Sequence, residues 1–299
     1  MLKKPSNKTL AVIAITLTML IWGSAIVISK SVVEEVGPLV LATIRFAIAA
    51  AIFTPYGLRK FPLRQLPLKP LFISSFFGIT VFYALLNIGL LFSTAASAGL
   101  IQGAAPIITL LLSVMVLREN LNIPKLSGVI LSVSGIFIIV LVSEGSQNGT
   151  QSIIGHLFII GSTVAWAIYV ITSKSLVSNY PQQVVTACHI FFGFIFLIPF
   201  GVFESIYFSY NPVSAGNILA IVFLALTSSG IAYFFWNFSV KHLSATRAGA
   251  FINLCPLVTL ITAVIFLDET IGPIIIIGAA LIISGLYLTG LPGRTILTR

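Results

Sequence analysis

Long apolar runs dominate the chain and constrain its fold more than any other feature. About 20 apolar residues are needed to cross a bilayer as an α-helix, because lipid offers no hydrogen-bond partner to a broken backbone. Ten such runs are present: Leu10–Ser29, Pro38–Tyr56, Leu71–Phe92, Ala95–Leu117, Leu126–Val142, Ile153–Ser173, Val184–Phe203, Ile218–Val240, Ala245–Leu267 and Ile271–Leu288. The sequence therefore predicts an all-α membrane protein with ten transmembrane helices.

The composition favours the same class. Of the 299 residues, 58% are apolar and 8% charged, whereas about a quarter of the residues in a soluble domain are charged. The first run lacks a following cleavage site of small residues, so it is predicted to be retained as a span. Cys188 and Cys255 lie inside apolar runs, where neither a disulfide framework nor metal-ligand spacing forms. No metal or cofactor is predicted.

Charged residues separate to the two ends of the predicted spans. With the N-terminus in the cytoplasm, the cytoplasmic ends hold 14 of the 16 basic residues: Lys3, Lys4, Lys8, Arg59, Lys60, Arg64, Lys69, Arg118, Lys125, Lys174, Lys241, Arg247, Arg294 and Arg299. Six of the seven acids lie at the outer ends. This pattern predicts a multi-pass protein of the cytoplasmic (inner) membrane with both termini cytoplasmic. Because topology explains the basic excess, nucleic-acid binding is not predicted.

An internal repeat divides the chain into two units, 10–143 and 152–290. A shift of 150 residues aligns residues 98–120 with 248–270. The matched pairs at offsets of 150 and 144 include Pro106 with Pro256, Glu119 with Glu269, Tyr83 with Tyr233, Asn87 with Asn237, Trp22 with Trp166 and Arg45 with His189. Each unit has five spans, an odd number, so the second enters the membrane from the opposite side. The sequence predicts two inverted five-helix repeats around a central cavity.

These features resemble the EamA-type transporters of the drug/metabolite transporter superfamily. Each half has an early Trp, a Pro-centred motif ending in Leu-x-Glu in its fourth span, and a Gly-x6-Gly fifth span. The resemblance covers Leu10 to Leu288, and it implies a ten-helix basket whose cavity opens alternately to each side. It also implies export, rather than import, of a small metabolite such as an amino acid. Inverted repeats independently favour an alternating-access carrier, because they give two near-equal packings.

Polar and aromatic residues within the spans are the candidates for substrate binding, since polar groups in lipid are expected to face the bundle interior. They are Trp22, Arg45, Tyr83, Asn87, Gln102, Trp166, Tyr169, His189, Tyr233, Trp236, Asn237 and Asn253. Arg45 either binds a substrate carboxylate or phosphate, or extends to the interface. His189 is either a neutral histidine bound to a carbonyl or the titrating group of a proton-coupled carrier.

Other candidates have structural alternatives too. The Tyr-Asn pairs are spaced i, i+4 on one helical face, where they either line a cavity or tie helices together. Trp22 and Trp166 line the cavity or belong to an interfacial belt. Pro106 and Pro256 free a carbonyl near Gln102 and Asn253, for binding or only as a kink. The glycines of spans five and ten pack those spans together or join a homodimer; they are Gly128, Gly135, Gly278 and Gly285.

Acidic residues are absent from the middle of every predicted span, which disfavours a permanently cationic substrate. The sequence therefore predicts an alternating-access secondary transporter, not an enzyme, for a small neutral, zwitterionic or anionic metabolite. Its predicted partners are that small-molecule substrate and membrane lipid. A membrane-embedded enzyme or receptor that uses the same cavity is the alternative, although the chain has no HExxH motif, Ser-His-carboxylate set or paired intramembrane acids.

Overall fold

The computed structural model describes residues 6–59, 65–117, 122–142, 149–208, 212–243, 251–252, 254–289 and 291. Its helices are α1 (Asn7–Val36), α2 (Pro38–Leu58), α3 (Leu68–Ser75), α4 (Phe82–Phe92), α5 (Ala95–Gly103), α6 (Ala105–Leu117), α7 (Ile123–Val142), α8 (Gly149–Asn179), α9 (Gln182–Tyr207), α10 (Ala215–Leu226), α11 (Ala232–His242), α12 (Leu254–Leu267) and α13 (Pro273–Thr289). Two π-helical turns, π1 (Phe76–Val81) and π2 (Thr227–Ile231), join α3 to α4 and α10 to α11.

The helices form a membrane-embedded bundle. Eight described helical segments are long and apolar enough to cross a bilayer, and α12 and α13 are shorter apolar helices. Large apolar side chains lie on the outside of the bundle, as Met115 does with 77% of its surface exposed. Such an outer surface suits lipid, which rewards exposed apolar area. The all-α membrane class predicted from the sequence is therefore confirmed, and the protein crosses the membrane several times.

Three predicted spans depart from an uninterrupted α-helix. The third and eighth contain π1 and π2, whose wider hydrogen-bond spacing disturbs the regular ladder. The fourth span breaks at Ala104, where α5 ends and α6 begins. Pro106 has no N–H to donate to the carbonyl of Gln102, and the N–H of Ala104 donates instead to Ile101 O at 3.1 Å. The disturbance therefore lies where the proline was expected to produce it.

Helices from the two halves of the chain pack extensively against each other. The pairs with the broadest contact are α7 with α13 and α2 with α9, while α1 packs on α11 and α12, and α8 packs on α3 to α6. Glycine permits the closest of these approaches: Gly128 faces the carbonyl of Gly285, and Gly135 faces that of Gly278. The glycine faces therefore join α7 to α13 within one chain, and homodimerisation stays a prediction.

Two carboxylates cap helices across the bundle. Glu269 accepts hydrogen bonds from the N–H groups of Ala95 and Ala96 at the start of α5, at 2.7 and 2.9 Å. Glu204 does the same at the start of α2, where two N–H groups donate to it at 2.8 and 2.7 Å. The first N–H groups of a helix have no partner within the helix and carry partial positive charge. These acids therefore satisfy backbone donors that lipid would leave unpaired.

The α7–α13 contact should be sensitive to a single methyl group. We expect Gly135→Ala to lower the melting temperature, because its Cβ would lie 2.7 Å from Gly278 O, a backbone atom that cannot turn aside. Overpacking of this kind costs about 1–3 kcal/mol. Thermal unfolding in detergent, followed by the reaction of Cys188 and Cys255 with a thiol dye, measures the change.

Gly216→Ala is the matched control for this experiment, since a Cβ at Gly216 would meet nothing within 4 Å. It should melt at the wild-type temperature or slightly above it, because alanine favours helix over glycine. Equal melting temperatures for the two variants would contradict the packing of α7 on α13.

Candidate functional site

A cavity lies at the centre of the bundle, between α1, α2, α4, α5, α8 and α11. Its volume is about 80 Å³, counted as the space open to the centre of a water molecule. Since one water needs roughly 10–15 Å³ by this measure, the cavity has room for a small solute. Six of the twelve predicted site residues line it: Trp22, Arg45, Tyr83, Gln102, Trp166 and Trp236. The rest of the wall is mostly apolar, with serine hydroxyls beside Arg45.

Arg45 is the charged group of the cavity wall, and only 1% of its surface is exposed. Its Nε, Nη1 and Nη2 donate to the hydroxyls of Ser229, Ser29 and Ser228 at 3.2, 3.0 and 3.1 Å. Its Cζ lies 4.9 Å from the ring centroid of Tyr83, within the range of a cation–π contact. Arg45 therefore does not extend to the membrane interface. It is a buried guanidinium held by α1, α2, α4 and π2.

The surroundings of Arg45 leave its charge without a counter-ion. In the part of the chain that the structure describes, the polar side chains bonded to Arg45 are neutral serines. Buried charges in proteins are normally paired with an opposite charge, because desolvation alone is costly. A guanidinium has five N–H donors; three of them bind the serines, and the Tyr83 hydroxyl also lies near the guanidinium. The site is thus chemically suited to an anionic group.

The two π-helical turns are each held by an aromatic donor from the other half of the chain. Trp22 Nε1 donates to Ser228 O in π2 at 3.2 Å. Tyr233 OH donates to Gly78 O in π1 at 3.0 Å. Gly78 and Ser228 are 150 residues apart, the offset of the sequence repeat, so these are equivalent carbonyls. Because Ser228 also bonds Arg45, the indole of Trp22 helps to fix the position of the guanidinium.

All three tryptophans of the chain meet at the cavity. The ring centroids of Trp22 and Trp166 are 5.1 Å apart, and Trp236 lies 5.6 Å from Trp22 and 5.9 Å from Trp166. Edge-to-face and tilted contacts at these distances stabilise aromatic clusters. The tryptophans therefore form part of the cavity wall rather than an interfacial belt.

Gln102 and the two asparagines connect neighbouring helices. Gln102 lies on the cavity wall, and its Nε2 donates to Ser162 Oγ on α8 at 2.6 Å. Asn87 Nδ2 donates to Pro38 O at 3.0 Å, and Asn237 Nδ2 donates to Thr186 Oγ1 at 2.7 Å. Both asparagines are buried away from the cavity. Their hydrogen bonds match the alternative in which amides tie helices together.

Tyr169 and His189 form a second buried polar cluster outside the cavity. His189 Nε2 is 2.8 Å from Ser74 Oγ, and the rings of His189 and Tyr169 are 5.2 Å apart. The Tyr169 hydroxyl lies near Asn237 and Ser173 without a hydrogen bond of normal length, and His189 Nδ1 has no partner among the residues that the structure describes. Tyr169 packs on Trp166 at 4.9 Å. One layer of aromatic side chain therefore separates this cluster from the cavity.

The sequence prediction missed the serines that hold Arg45. Ser29 stands seven residues before the C-terminal end of the long helix α1, and Ser228 and Ser229 interrupt the apolar run of the eighth span. Two adjacent hydroxyls in the middle of a span were the available signal, since polar groups there face the bundle interior. Asn253, the remaining candidate, lies outside the described residues.

Comparison with known proteins assigns the chain to a family. The model of the EamA-like transporter family matches it twice, at residues 9–141 and 153–291. An uncharacterised transporter of Archaeoglobus fulgidus is 30% identical, with 92% of this chain and 97% of the relative covered. A protein of Streptantibioticus cattleyicolor described as a probable terminal-alkyne amino-acid exporter is 28% identical, with 93% and 92% covered.

A solved crystal structure shares the fold. Its TM-score against this chain is 0.67 at 20% sequence identity, with 93% of this chain and 95% of that chain covered. The apolar helices, the cavity and the two family matches lead to one conclusion: the chain belongs to the EamA-like transporter family, within the drug/metabolite transporter superfamily, and is a multi-pass membrane transporter.

Proposed function

We propose that the protein is a secondary carrier that moves a small carboxylate-bearing metabolite, of the amino-acid class, across the cytoplasmic membrane by alternating access. The observation that supports this most strongly is the buried guanidinium of Arg45 on the cavity wall, bonded to three serine hydroxyls. A substrate carboxylate would supply the missing negative charge and accept hydrogen bonds from the guanidinium N–H groups that the serines leave unused. Binding of the solute then offsets the cost of burying the cation.

The proposal includes ten spans arranged as two inverted repeats. Contacts between the halves come in equivalent pairs: α1 packs on α11 and α12, and α8, the first helix of the second unit, packs on α4, α5 and α6. The π turns agree as well, because residues 77–81 of π1 are equivalent to residues 227–231 of π2 at the 150-residue offset. The family model also matches once in each half. Inverted repeats let two halves exchange conformations, and the cavity then opens to alternate sides.

The remaining walls of the cavity define the rest of the solute. The tryptophan cluster offers apolar area and π faces, which accept an aliphatic body or an ammonium group. Among the described lining residues no acidic side chain is present, so a solute with only positive charge would face Arg45 without compensation. A zwitterion or a monocarboxylate can bind Arg45 through its carboxylate and contact the tryptophan cluster with the rest of the molecule. The description of the Streptantibioticus relative as an amino-acid exporter supports this class and the direction of export.

Replacement of Arg45 tests the carboxylate site. We expect Arg45→Gln to reduce counterflow of carboxylate solutes in proteoliposomes by roughly 10- to 100-fold, because charge-assisted hydrogen bonds contribute about 1.5–3 kcal/mol. The amide ends about where the guanidinium Nε lies, so it still reaches the hydroxyl of Ser229 while the charge is removed. Substrates are first identified by their thermal stabilisation of the wild-type protein in a panel of amino acids and organic acids.

Lys30→Gln is the control, since it also removes one positive charge from the first half but acts outside the cavity, where Lys30 bonds Leu90 O and Glu34. It should transport as wild type does. Folded Arg45→Gln protein with unchanged transport and affinity would contradict the carboxylate site. Recovery of the labelled solute in chemically altered form would instead favour a membrane enzyme.

The ten-span topology predicts that residues 6 and 291 lie on the cytoplasmic side. In a background with Cys188→Ser and Cys255→Ala, a membrane-impermeant maleimide should leave Ser6→Cys and Leu291→Cys unlabelled in intact cells. Both should react once the membrane is opened. Val213→Cys, placed before α10 on the predicted outer side, should react in intact cells. Labelling of one of the two end positions but not the other would show an odd number of spans between them and would exclude the inverted arrangement.

A further inference from the structure

The two halves of the chain contribute unequally to the cavity. Ser29, Arg45 and Tyr83 of the first half line it. Their equivalents at offsets of 144 and 150 residues are Ser173, His189 and Tyr233, and none of these three belongs to the cavity wall. Arg45 and His189 thus occupy equivalent places in the repeat but different environments. Arg45 faces the cavity, and His189 lies in the sealed cluster behind Tyr169 and Trp166.

The proposed function requires the two halves to exchange conformations, and this exchange would also exchange the environments of Arg45 and His189. In the exchanged state, the second half takes the arrangement that the first half has here. His189 then faces the cavity and its water, as Arg45 does now. We propose that His189 is a proton-binding site of the carrier, sealed in the present conformation and open to the cavity in the other. The proposal rests on the proposed function and adds the coupling of transport to protons.

The hydrogen bonds of His189 leave one ring nitrogen free for this role. Ser74 has a single hydroxyl hydrogen, and its oxygen lies 2.8 Å from Nε2 and 3.0 Å from Leu71 O. Whichever of these contacts uses that hydrogen, Nδ1 has no partner among the described residues, although the side chain is fully buried. A buried nitrogen without a partner costs free energy. Access to water in the other conformation removes that cost.

The neighbours of His189 favour its neutral form in the sealed state. Ser74 approaches from α3 and Tyr169 from α8, and Asn237 of α11 is bonded to Thr186, one turn before His189. Tyr169 is the titratable group in contact with the imidazole; Tyr233 of α11 packs behind it, at 6.2 Å, and Cys188 is the chain neighbour. Arg45, the cation of α2, lies on the cavity wall instead. The contacts described for His189 include no carboxylate.

Protonation can therefore select between the two conformations. An imidazolium sealed in this cluster would be an uncompensated buried charge, whereas the same cation facing the cavity is hydrated. A hydronium ion transfers its proton to the ring and leaves as water. Protonation of His189 therefore favours the conformation in which the ring faces the cavity. Return to the sealed state favours release of the proton. Solute transport and proton movement are coupled because both are linked to the same exchange of conformations.

The test measures proton flux directly. Wild-type proteoliposomes that contain a pH-sensitive dye should show a pH change in the lumen when a transported solute is added outside. His189→Gln, which cannot take up a proton, should lose this change and retain solute counterflow. His156→Gln is the matched control, since His156 is also a buried histidine, on α8, and it should keep both signals.

Ser74→Ala provides a second variant that retains the imidazole. It should keep the proton flux and shift the pH midpoint of that flux by roughly half a unit or more, because one hydrogen bond to the ring is lost. Flux that persists in folded His189→Gln, or an unchanged midpoint in Ser74→Ala, overturns the proposal. If the wild-type protein transports the solute with no accompanying proton flux, the proton-site proposal is overturned, whereas the carrier function still holds. Absence of any solute transport contradicts the carrier function itself.

Discussion

A bilayer core offers no hydrogen-bond partner to a polar atom, and the architecture of this protein follows from that constraint. Many hydroxyls within the bundle donate to a carbonyl one turn earlier in their own helix, and a smaller set of polar side chains binds a neighbouring helix. Asn87 binds Pro38 O, Ser132 binds Ile282 O and Thr259 binds Gly23 O. Each bond both satisfies a donor and fixes the position of two helices. Arg45 differs from all of these, because hydrogen bonds to hydroxyls satisfy its donors in part but leave its charge uncompensated.

The sequence predicted the helical membrane class, and half of the twelve predicted site residues line the cavity, for a clear physical reason. The length of an apolar run indicates whether it can span the bilayer. A polar or amphipathic side chain within a span, such as arginine or tryptophan, is expected to face the bundle interior. The asparagines could not be assigned in the same way. Asn87 is on one helical face with Tyr83, as the i, i+4 spacing requires, yet only Tyr83 lines the cavity. Which neighbour covers each turn of a helix depends on packing, and a single helix pattern does not contain that information.

The sequence did not predict the two π-helical turns either. At the 150-residue offset, residues 77–81 (FGITV) and 227–231 (TSSGI) share no identical residue, so sequence similarity provided no signal for a shared backbone conformation. Tertiary contacts account for it better. Each turn presents a carbonyl to an aromatic donor of the other half, from Tyr233 or from Trp22. These reciprocal bonds link the two halves of the chain.

The repeat is most informative where its two copies differ. Tryptophan, tyrosine, asparagine and proline recur in both halves and account for shared packing, whereas Arg45 is equivalent to His189, and Ser228 to Gly78. Under the proposed mechanism, identical halves would give two conformations of equal free energy. A permanent charge in one half and a titratable ring in the other make the two conformations respond differently to an anion and to pH. The departures from symmetry are therefore the positions at which the two halves of this fold differ most in charge and in their response to pH.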